Sequence, residues 1–406
     1  MSFTKQLKAT LALILINCKS FPQRIISSSI SIISIACVAA VILSILALTD
    51  GMNKTMAKTG LNNTLLVMRA GAVSELQSVM FPVEVNLLAN NPLIKHDAND
   101  RPIVAAEMFV SAAYKPTISE KEKDNDSVSL SLRGISLNTY HFRPNFKLVS
   151  GRKFKQGLRE ILIGRAIARK MPELTLGKTI TLGNTQWLIS GIFSDNNSVF
   201  ESELWTDIGM LQSDYNRGNT IQSLRLALAN QDIKQTVTKL SKQWQADPRL
   251  NVRLILEKTF FAEQGKKLNR LVNWLGLPIA FIMAIGATIA AISTMFAAIA
   301  SRSKEIATYK TLGFSTFSIA SVVMSEAILL ATIGGLIAVL PLYGLLNNWT
   351  ATTQNASNLS QIMFNFSITP SLMIQTMLAT TCIGLLGGLL PAIKAMRLPI
   401  TVALRD

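Results

Sequence analysis

The sequence has few residues of the kinds that form disulfides or bind metals: three cysteines and two histidines among 406 residues. The cysteines, Cys18, Cys37 and Cys382, all lie in or beside long apolar stretches. None falls in the large segment formed by residues 49–270. A disulfide scaffold is therefore excluded for that segment, which must be held together by a packed core.

A metal centre has little support either. Neither His96 nor His141 has a partner at metal-ligand spacing, although His96 lies near Asp97 and Asp100. Zinc sites in proteins use three or four convergent ligands. We therefore expect this chain to bind no metal.

The motifs of nucleotide hydrolysis and of nucleophilic catalysis are also missing. Gly177-Lys178-Thr179 has the ending of a phosphate-binding loop, but that loop needs a glycine where this chain has Pro172. The sequence contains no Gly-x-Ser-x-Gly elbow and no Cys/His arrangement. We expect no enzymatic activity in this chain and no cofactor bound by it.

Acidic residues are scarce beside basic ones, 24 against 40, which gives a formal net charge of +16. No basic and aromatic pattern accompanies this excess, so we expect no nucleic-acid binding. Apolar sequence is abundant, and four runs have the roughly 20 apolar residues of a membrane-spanning helix. They are residues 25–48, 271–300, 317–346 and 369–390. The first run is too long for the apolar core of a signal peptide, about 7–15 residues.

The charges around these four runs indicate their orientation. Basic residues are concentrated before the first run, between the second and third, and after the fourth, whereas residues 347–368 carry no charge. Lysine and arginine are enriched in cytoplasmic loops. Both termini and residues 301–316 are therefore predicted to be cytoplasmic, and residues 49–270 are predicted to lie outside.

The outer segment alternates between strand-like and helix-like patterns, which predicts an α/β or α+β domain, large enough for two lobes. One predicted helix covers residues 202–211. The first membrane helix is expected to continue past Asp50, and the second to begin near Glu257. The outer domain would then be attached through helices continuous with both spans.

Two predictions concern the start of the chain. Apolar residues at helical spacing within residues 1–24 predict an interfacial helix on the inner leaflet. In the first span, small polar residues are interpreted as packing positions, because small side chains let helices approach closely. They are Ser27, Ser28, Ser29, Ser31 and Ser34.

Residues 301–315 read S-R-S-K-E-I-A-T-Y-K-T-L-G-F-S and have a positive balance. Gly313 is typical of a helix end, and Ser315 of the N-cap of the next helix. We predict a short helix along the inner face of the membrane. Glu326 lies about two to three turns into the third span, where a carboxylate is costly. A structural contact near the short helix is favoured over a proton relay.

These segments resemble a known family. Residues 302–314 and the following Glu326 are similar to the hallmark of the MacB/LolC/FtsX superfamily of ABC transporter permeases. The ending from Pro391 to Arg405 is similar to that family's C-terminus. Four fragments of the outer segment resemble the MacB-type periplasmic core. They are Gly151-Arg152, Ile161-Leu162-Ile163-Gly164, Leu176-Gly177 and Ile189-Ser190-Gly191-Ile192-Phe193.

The resemblance implies a membrane α-helical fold with four transmembrane helices and a large α+β periplasmic domain of two lobes between the first and second. The expected division is interfacial helix 1–24, spans 25–48, 271–300, 317–346 and 369–390, periplasmic domain 49–270, coupling helix 301–316, periplasmic loop 347–368 and cytoplasmic tail 391–406.

The resemblance also implies partners in an inner (plasma) membrane. A separate ABC ATPase, which would hold ATP and Mg²⁺, is expected to dock on the coupling helix. The expected coupling residues are Arg302, Lys304, Glu305, Ile306, Lys310, Leu312 and Gly313, with Glu326 in an intramembrane structural role. A second permease copy or a related permease, membrane lipid, a periplasmic adaptor and an outer-membrane duct complete the expected partners.

Export or efflux by mechanotransmission is the favoured function, in which ATP-driven movement of the spans moves the periplasmic domain. Three alternatives stay open. They are extraction of lipid or lipoprotein from the membrane, FtsX-like signalling to a periplasmic partner, and a membrane receptor that uses no ATPase.

Overall fold

The computed structural model describes residues 10, 12–13, 25–115, 128–229, 232–347, 349–354 and 361–399. The interfacial helix predicted within residues 1–24 lies almost wholly outside these residues, as does the end of the predicted tail. The chain divides into two compact units. The membrane unit contains Met1–Asp50, Asn269–Trp349 and Phe366–Asp406, and the outer unit contains Gly51–Leu268 and Thr350–Asn365.

The helices are α1 (Ile25–Lys58), α2 (Pro82–Ala89), α3 (Arg165–Lys170), α4 (Ile208–Asp214), α5 (Ile233–Ala246), α6 (Glu257–Ser301), α7 (Ser303–Thr311), α8 (Thr316–Leu346) and α9 (Pro370–Arg397). The strands are β1 (Thr64–Arg69), β2 (Val104–Tyr114), β3 (Val128–Ile135), β4 (Phe146–Gly151), β5 (Glu160–Gly164), β6 (Thr179–Leu182), β7 (Thr185–Asp195), β8 (Glu203–Asp207), β9 (Ser223–Ala227), β10 (Val252–Leu256), β11 (Thr350–Gln354) and β12 (Gln361–Asn365).

Four helices, α1, α6, α8 and α9, are long and apolar enough to cross a membrane. The first three contain the predicted runs 25–48, 271–300 and 317–346, and α9 contains all of the fourth except its first residue, Thr369. As predicted, α1 continues past Asp50 and α6 begins at Glu257. The 45 residues of α6 measure about 68 Å at the usual helical rise, more than twice the roughly 30 Å of hydrocarbon. Residues 391–397, predicted as tail, are instead the last turns of α9.

Small residues bring α8 and α9 into close contact. A Cβ atom on Gly384 would lie 2.5 Å from the Cβ of Ala331, and one on Gly388 would lie 2.6 Å from the Cβ of Ala327. Each pair is four residues from the next, so the contacts form one stripe on each helix. Helices in lipid associate through such close van der Waals packing, because there is no water between them to expel.

A serine of α1 connects that helix to α6. Ser31 is fully buried, and its hydroxyl hydrogen-bonds with Oγ1 of Thr294 and donates to the carbonyl of Ala290. Ser28 is buried too, which confirms the predicted packing positions for these two serines. Ser34 instead donates to the carbonyl of Ile30 in its own helix. The side chain of Ser27 lies outside the described part of the chain.

The outer unit is built on a ten-stranded sheet with the order β10-β1-β9-β2-β3-β8-β5-β7-β4, and β6 pairs with β2 and β7. The pairings of β3 with β8 and of β5 with β7 are parallel. One buried apolar cluster surrounds β1, β9, β10 and α5, and another surrounds β2, β3 and the strands from β5 to β8. These two cores give the α+β domain its two lobes.

The prediction of a helix at residues 202–211 is wrong in its first half. Residues 203–207 form β8, and α4 starts only at Ile208. β8 lies between β3 and β5, and all five of its residues are buried. A strand covered on both faces has no alternation of apolar and polar residues, so its pattern does not distinguish it from a buried helix.

The uncharged segment predicted as a periplasmic loop at residues 347–368 contains a β-hairpin. Strands β11 and β12 pair in antiparallel fashion. The side chain of Met363 in β12 is buried in the apolar core of the outer unit, with residues of β2, β3 and β5. The connection between α8 and α9 therefore contributes a strand that packs within the outer unit.

The fragments that resemble the MacB-type core meet where backbones approach closely. A Cβ on Gly151, which has a positive φ of 78°, would overlap the carbonyl of Ser190 and the side chain of Leu176. A Cβ on Gly191 would lie 2.6 Å from the carbonyl oxygen of Arg152. Glycine is required at both positions because the β4 and β7 backbones leave no room for a side chain.

Candidate functional site

A short helix lies between α6 and α8, as the sequence predicts, but it is shorter than the predicted 301–316, because Ser301 still belongs to α6 and α7 covers only Ser303–Thr311. α7 ends at Thr311, and Gly313 follows with a φ of 86°. This left-handed conformation favours glycine at a helix end. The side chain of Ser315 caps α8 by accepting a hydrogen bond from the backbone N–H of Ser318 at 3.1 Å.

The residue before α7 pairs with the carboxylate inside α8. Nη1 and Nη2 of Arg302 donate to Oε2 and Oε1 of Glu326 at 3.1 and 3.2 Å. Both side chains are largely buried. The planar guanidinium fork matches a carboxylate with two parallel hydrogen bonds. Glu326 thus has a positively charged partner, which offsets the cost of placing its charge in a membrane helix.

Two further side chains of α7 hold it to the long helices. Ile306 is buried in an apolar cluster with residues of α1, α6, α8 and α9. Nζ of Lys310 donates to the carbonyl oxygens of Met396 and Leu398 at 3.0 and 2.6 Å, at the end of α9. A cation is favourable at a helix C-terminus, where carbonyl groups lack partners within the helix.

The other predicted coupling residues face away from these contacts. Lys304, Glu305, Leu312 and Gly313 are exposed. Leu312 exposes 69% of its surface, and Phe317, which was not among the predicted site residues, exposes 76%. The predicted residues therefore divide into a set held against the long helices and a set on an exposed face. We term the exposed set, with Phe317, the outward face of the coupling loop.

A second concentration of charge lies inside the outer unit, and sequence reasoning missed it. Seven residues form this buried charge network, and none of them exposes more than 5% of its surface. They are Glu75, Glu107, Glu203, Glu257, Arg133, Arg143 and Arg225.

Arg133 on β3 lies at one end of the network and uses its whole guanidinium group. Nε and Nη2 donate to the two carboxylate oxygens of Glu203, each at 2.7 Å. Nη1 and Nη2 donate to Glu75 at 3.0 and 2.9 Å, and Nη1 also donates to Glu107 at 2.8 Å. A buried charge is tolerated only when it is paired in this way.

Arg225 and Arg143 connect the network to the start of α6. Nε of Arg225 donates to Oε1 of Glu257 at 2.7 Å, and Nη1 of Arg143 lies 3.1 Å from the same oxygen. The backbone N–H of Leu61, just beyond α1, donates to Oε2 of Glu257 at 3.4 Å. Because Glu257 is the first residue of α6, the network includes the outer end of a membrane-spanning helix.

Burial and charge act in opposite directions on these carboxylates. Burial raises the pKa of Glu75, but Arg133 and Arg225 outweigh it and hold that pKa well below its usual value. Burial likewise raises the pKa of Glu257, and its arginine neighbours again bring the pKa below the usual range. In Asp195, nearby, burial raises the pKa and the hydrogen bond from Ser198 only partly opposes it. Glu75 and Glu257 are therefore ionised at neutral pH.

One sequence signal could have found the network. Glu107, Arg133 and Arg225 are each a charged residue inside an otherwise mainly apolar or small-residue strand. Their sequence separations hide the fact that they meet. The arrangement fixes positions, and no set of three or more histidine, cysteine or acidic side chains in the described residues is placed to hold a metal ion.

Comparison with family models covers both units. A model of the MacB-like periplasmic core domain matches residues 28–243, more than half of the chain, and a model of the FtsX-like permease C-terminal region matches residues 278–400. Together with the four membrane helices, these two matches identify the chain as an ABC transporter permease. The chain belongs to the MacB/FtsX family of these permeases, whose members work with partner ATPase subunits.

Two solved structures of periplasmic or extracellular regions are each similar to about half of this chain. The periplasmic region of MacB from Actinobacillus actinomycetemcomitans is 15% identical, covers 51% of this chain and 94% of its own, and has a TM-score of 0.37. The extracellular domain of the noncanonic ABC-type transporter YknZ from Gram-positive bacteria is 17% identical, with coverages of 48% and 100% and a TM-score of 0.34. Among curated proteins, none matches this chain.

Proposed function

We propose that this chain converts ATP hydrolysis by a separate ATPase into movement of its periplasmic domain, for export or efflux by mechanotransmission. One observation carries the proposal. The helix α6 includes both the apolar run at residues 271–300 and, at its outer end, Glu257 in the buried charge network. A displacement of this span is therefore delivered to the centre of the periplasmic domain.

The proposed orientation places both termini and α7 in the cytoplasm, on the inner side of an inner (plasma) membrane. The excess of basic residues on that side supports it. The ATPase, with its ATP and Mg²⁺, would dock on the outward face of the coupling loop, where exposed Leu312 and Phe317 offer apolar contact. Movement of the ATPase would be transmitted to α8 and α9 through the contacts of Arg302, Ile306 and Lys310.

The remaining partners follow from this arrangement. Two permease chains, either two copies of this one or this one and a relative, would face two ATPases. Export would add a periplasmic adaptor and an outer-membrane duct. Membrane lipid would cover the exposed apolar side chains of α6, among them Trp274, Phe281 and Ile282.

Purification of the tagged chain from its own membranes in mild detergent tests the proposal, with identification of every retained protein. We expect an ABC ATPase and an adaptor. Leu312→Ser should release the ATPase, because it removes the apolar centre of the outward face. Leu345→Ser is the matched control, since Leu345 is similarly exposed at the opposite end of α8.

Other outcomes would redirect or end the proposal. Retention of a cell-wall hydrolase in place of an adaptor would favour transmembrane signalling. If no ATPase is retained with or without nucleotide, the coupling loop has no such partner, and a membrane receptor becomes the better account.

A further inference from the structure

The segment that joins β7 to β8 contacts three parts of the outer unit, and each of these parts leads into a membrane helix. We term residues 195–203 the junction segment. It begins with a sharp turn, because Asn196 and Asn197 have positive φ values of 53° and 56°, a region that asparagine tolerates. Oε1 of Glu201 accepts hydrogen bonds from two backbone N–H groups of this turn at 2.7 and 2.8 Å. The segment is thus internally fixed.

The first contact is with the end of α1. The backbone N–H of Val199 donates to Oγ1 of Thr59 at 2.9 Å, and Thr59 directly follows the last residue of α1. The Thr59 hydroxyl in turn donates to the carbonyl of Thr55 within α1 at 2.8 Å. Val199 and Thr59 are both buried, so loss of the hydroxyl leaves a buried N–H group without its acceptor.

The second contact is with the first turns of α6. The ring of Phe200 meets the ring of Phe261 edge to face, with centroids 5.5 Å apart. The guanidinium of Arg143 lies 3.8 Å from the Phe200 ring centroid. Because Arg143 also pairs with Glu257, Phe200 is joined to α6 both by its ring and through the buried charge network.

The third contact is with the hairpin between α8 and α9. Oγ of Ser202 accepts a hydrogen bond from the backbone N–H of Met363 at 2.9 Å and donates to its carbonyl at 3.1 Å. One buried side chain thereby satisfies both backbone groups of one hairpin residue. Met363 belongs to β12, from which the chain continues into α9.

On another side, the junction segment lies against the sheet. A Cβ on Gly164, at the end of β5, would overlap the carbonyl of Glu201. Gly164 is one of the glycines in the MacB-like fragments, and its position shows why a side chain is excluded there. The segment therefore has close contacts with α1, α6, the hairpin and the sheet at once.

We propose that the junction segment is the positioning element that couples the outer ends of the membrane helices to one another and to the sheet. Thr59 and Ser202 are its key positioning residues. This inference rests on the proposed function for its role in transport, but the coupling itself is a property of the chain alone. A set of independent stabilising contacts would predict only local effects when one is removed.

Hydrogen–deuterium exchange of the full-length chain in lipid nanodiscs separates these two cases. Thr59→Val should accelerate exchange of the peptide containing Met363 by about fivefold, the effect of losing roughly one hydrogen bond, although Thr59 is not bonded to Met363. Thr55→Val is the matched control, because Thr55 is buried nearby and its hydroxyl donates to the carbonyl of Gly51 within α1. Faster exchange at Val199 alone would overturn the proposal.

The reverse experiment keeps the proposal testable if Thr59→Val does not fold. Coupling between two sites is reciprocal, so Ser202→Ala should accelerate exchange at Val199 by a similar factor. Ser190→Ala is its control, since Ser190 is a buried serine whose hydroxyl donates to the carbonyl of Ile161 in β5. An unchanged rate at Val199 would contradict the coupling.

A last comparison distinguishes failure of this inference from failure of the proposed function. In the complex with the copurified ATPase, an ATP–vanadate trap should change exchange in both α7 and the hairpin, relative to ADP. Thr59→Val should keep the change in α7 and lose at least half of the change at Met363. Equal changes in variant and wild type would overturn the inference alone, whereas a wild-type change confined to α7 would overturn the transport role.

Discussion

The two units of this permease fix their buried contacts by opposite means. The outer unit has seven charged side chains at its centre, whereas α8 and α9 in the membrane unit meet through glycine and alanine. Charged groups are costly to bury in either place, but a dense set of arginine and glutamate partners specifies one geometry. In lipid, close packing of small residues gives contact without that cost.

This difference suits the two tasks that we assign to the units. A network anchored at Glu257 holds the start of α6 in one position relative to the sheet. Small-residue stripes hold α8 and α9 by surface fit alone. We therefore expect the outer unit to be sensitive to loss of a single charge, and the membrane unit to be sensitive to added volume.

Removal of Arg133 should have the largest effect. Arg133→Met takes from Glu203 the arginine that pairs with it, and leaves Glu75 and Glu107 with Arg225 but without Arg133. This should lower the free energy of unfolding of the outer unit by about 3–5 kcal/mol. Denaturant unfolding of the full chain, followed by tryptophan fluorescence, measures this loss. Trp205 donates to Glu203 and so reports on the network directly.

Arg159→Met is the control for that change. Arg159 also pairs with a carboxylate, Asp214, but it is half exposed. Exposed ion pairs contribute little to stability, so its unfolding curve should overlay that of the wild type. Equal effects of the two substitutions would contradict the special role of the buried charge network.

Acid should weaken the same network only at low pH. The pKa of Glu75 and of Glu257 is lowered by folding, so their contribution is present above the usual value of 4.5 and is lost as pH falls below it toward the folded pKa. The raised pKa of Asp195 acts with the opposite sign, since its protonation favours the folded state. Thermal unfolding of the outer unit should therefore be nearly flat down to about pH 5 and fall steeply below about pH 4.

Asp195→Asn makes the acid experiment more specific. The variant should still lose stability steeply below about pH 4. It should lack any small rise in stability at pH values just above that loss. A steady decline from neutral pH onward would contradict the assignment of the titrating groups to this network.

Added volume should destabilise the membrane unit by a smaller amount. Gly384→Ala places a Cβ 2.5 Å from that of Ala331, and such overpacking costs about 1–3 kcal/mol. Unfolding in mixed detergent micelles is the measurement. Gly344→Ala in α8 is the control, because a Cβ there would have no described atom within 4 Å apart from the neighbouring backbone of its own helix. Similar effects of both substitutions would mean that the stripe is not the close contact we describe.

The smallest effect should come from a single hydrogen bond in the membrane. Ser31→Ala removes the bonds from α1 to Thr294 and Ala290, and hydrogen bonds between membrane helices contribute about 0.6 kcal/mol on average. Ser34→Ala should change nothing in the same assay, since Ser34 bonds within its own helix. A loss as large as that of Gly384→Ala would reverse our ranking of packing over hydrogen bonding.

The sequence allowed the membrane unit to be predicted better than the outer unit. Long apolar runs identify spans directly, and Gly313 and Ser315 mark the ends of α7 and the start of α8 through local backbone chemistry. The proximity of Glu326 to α7 also followed from its depth in α8. Its pairing with Arg302 required the structure.

Contacts between distant strands could not be predicted in the same way. Glu107, Arg133 and Arg225 meet only because β2 has β3 on one side and β9 on the other. The hairpin that carries Met363 is short and polar, so its five-residue strands gave no strong periodic signal. Such contacts depend on tertiary pairing, which local pattern does not determine.

The most direct test of the central claim is a distance between the outer end of α1 and the inner end of α6. With Cys18, Cys37 and Cys382 replaced by serine, spin labels at Lys54→Cys and Ser301→Cys would occupy two exposed positions. Dipolar spectroscopy of the complex with its ATPase should show a shift of several ångströms in the mean distance between ADP and ATP–vanadate states. Identical distance distributions in a complex that hydrolyses ATP would contradict transmission of movement through these helices.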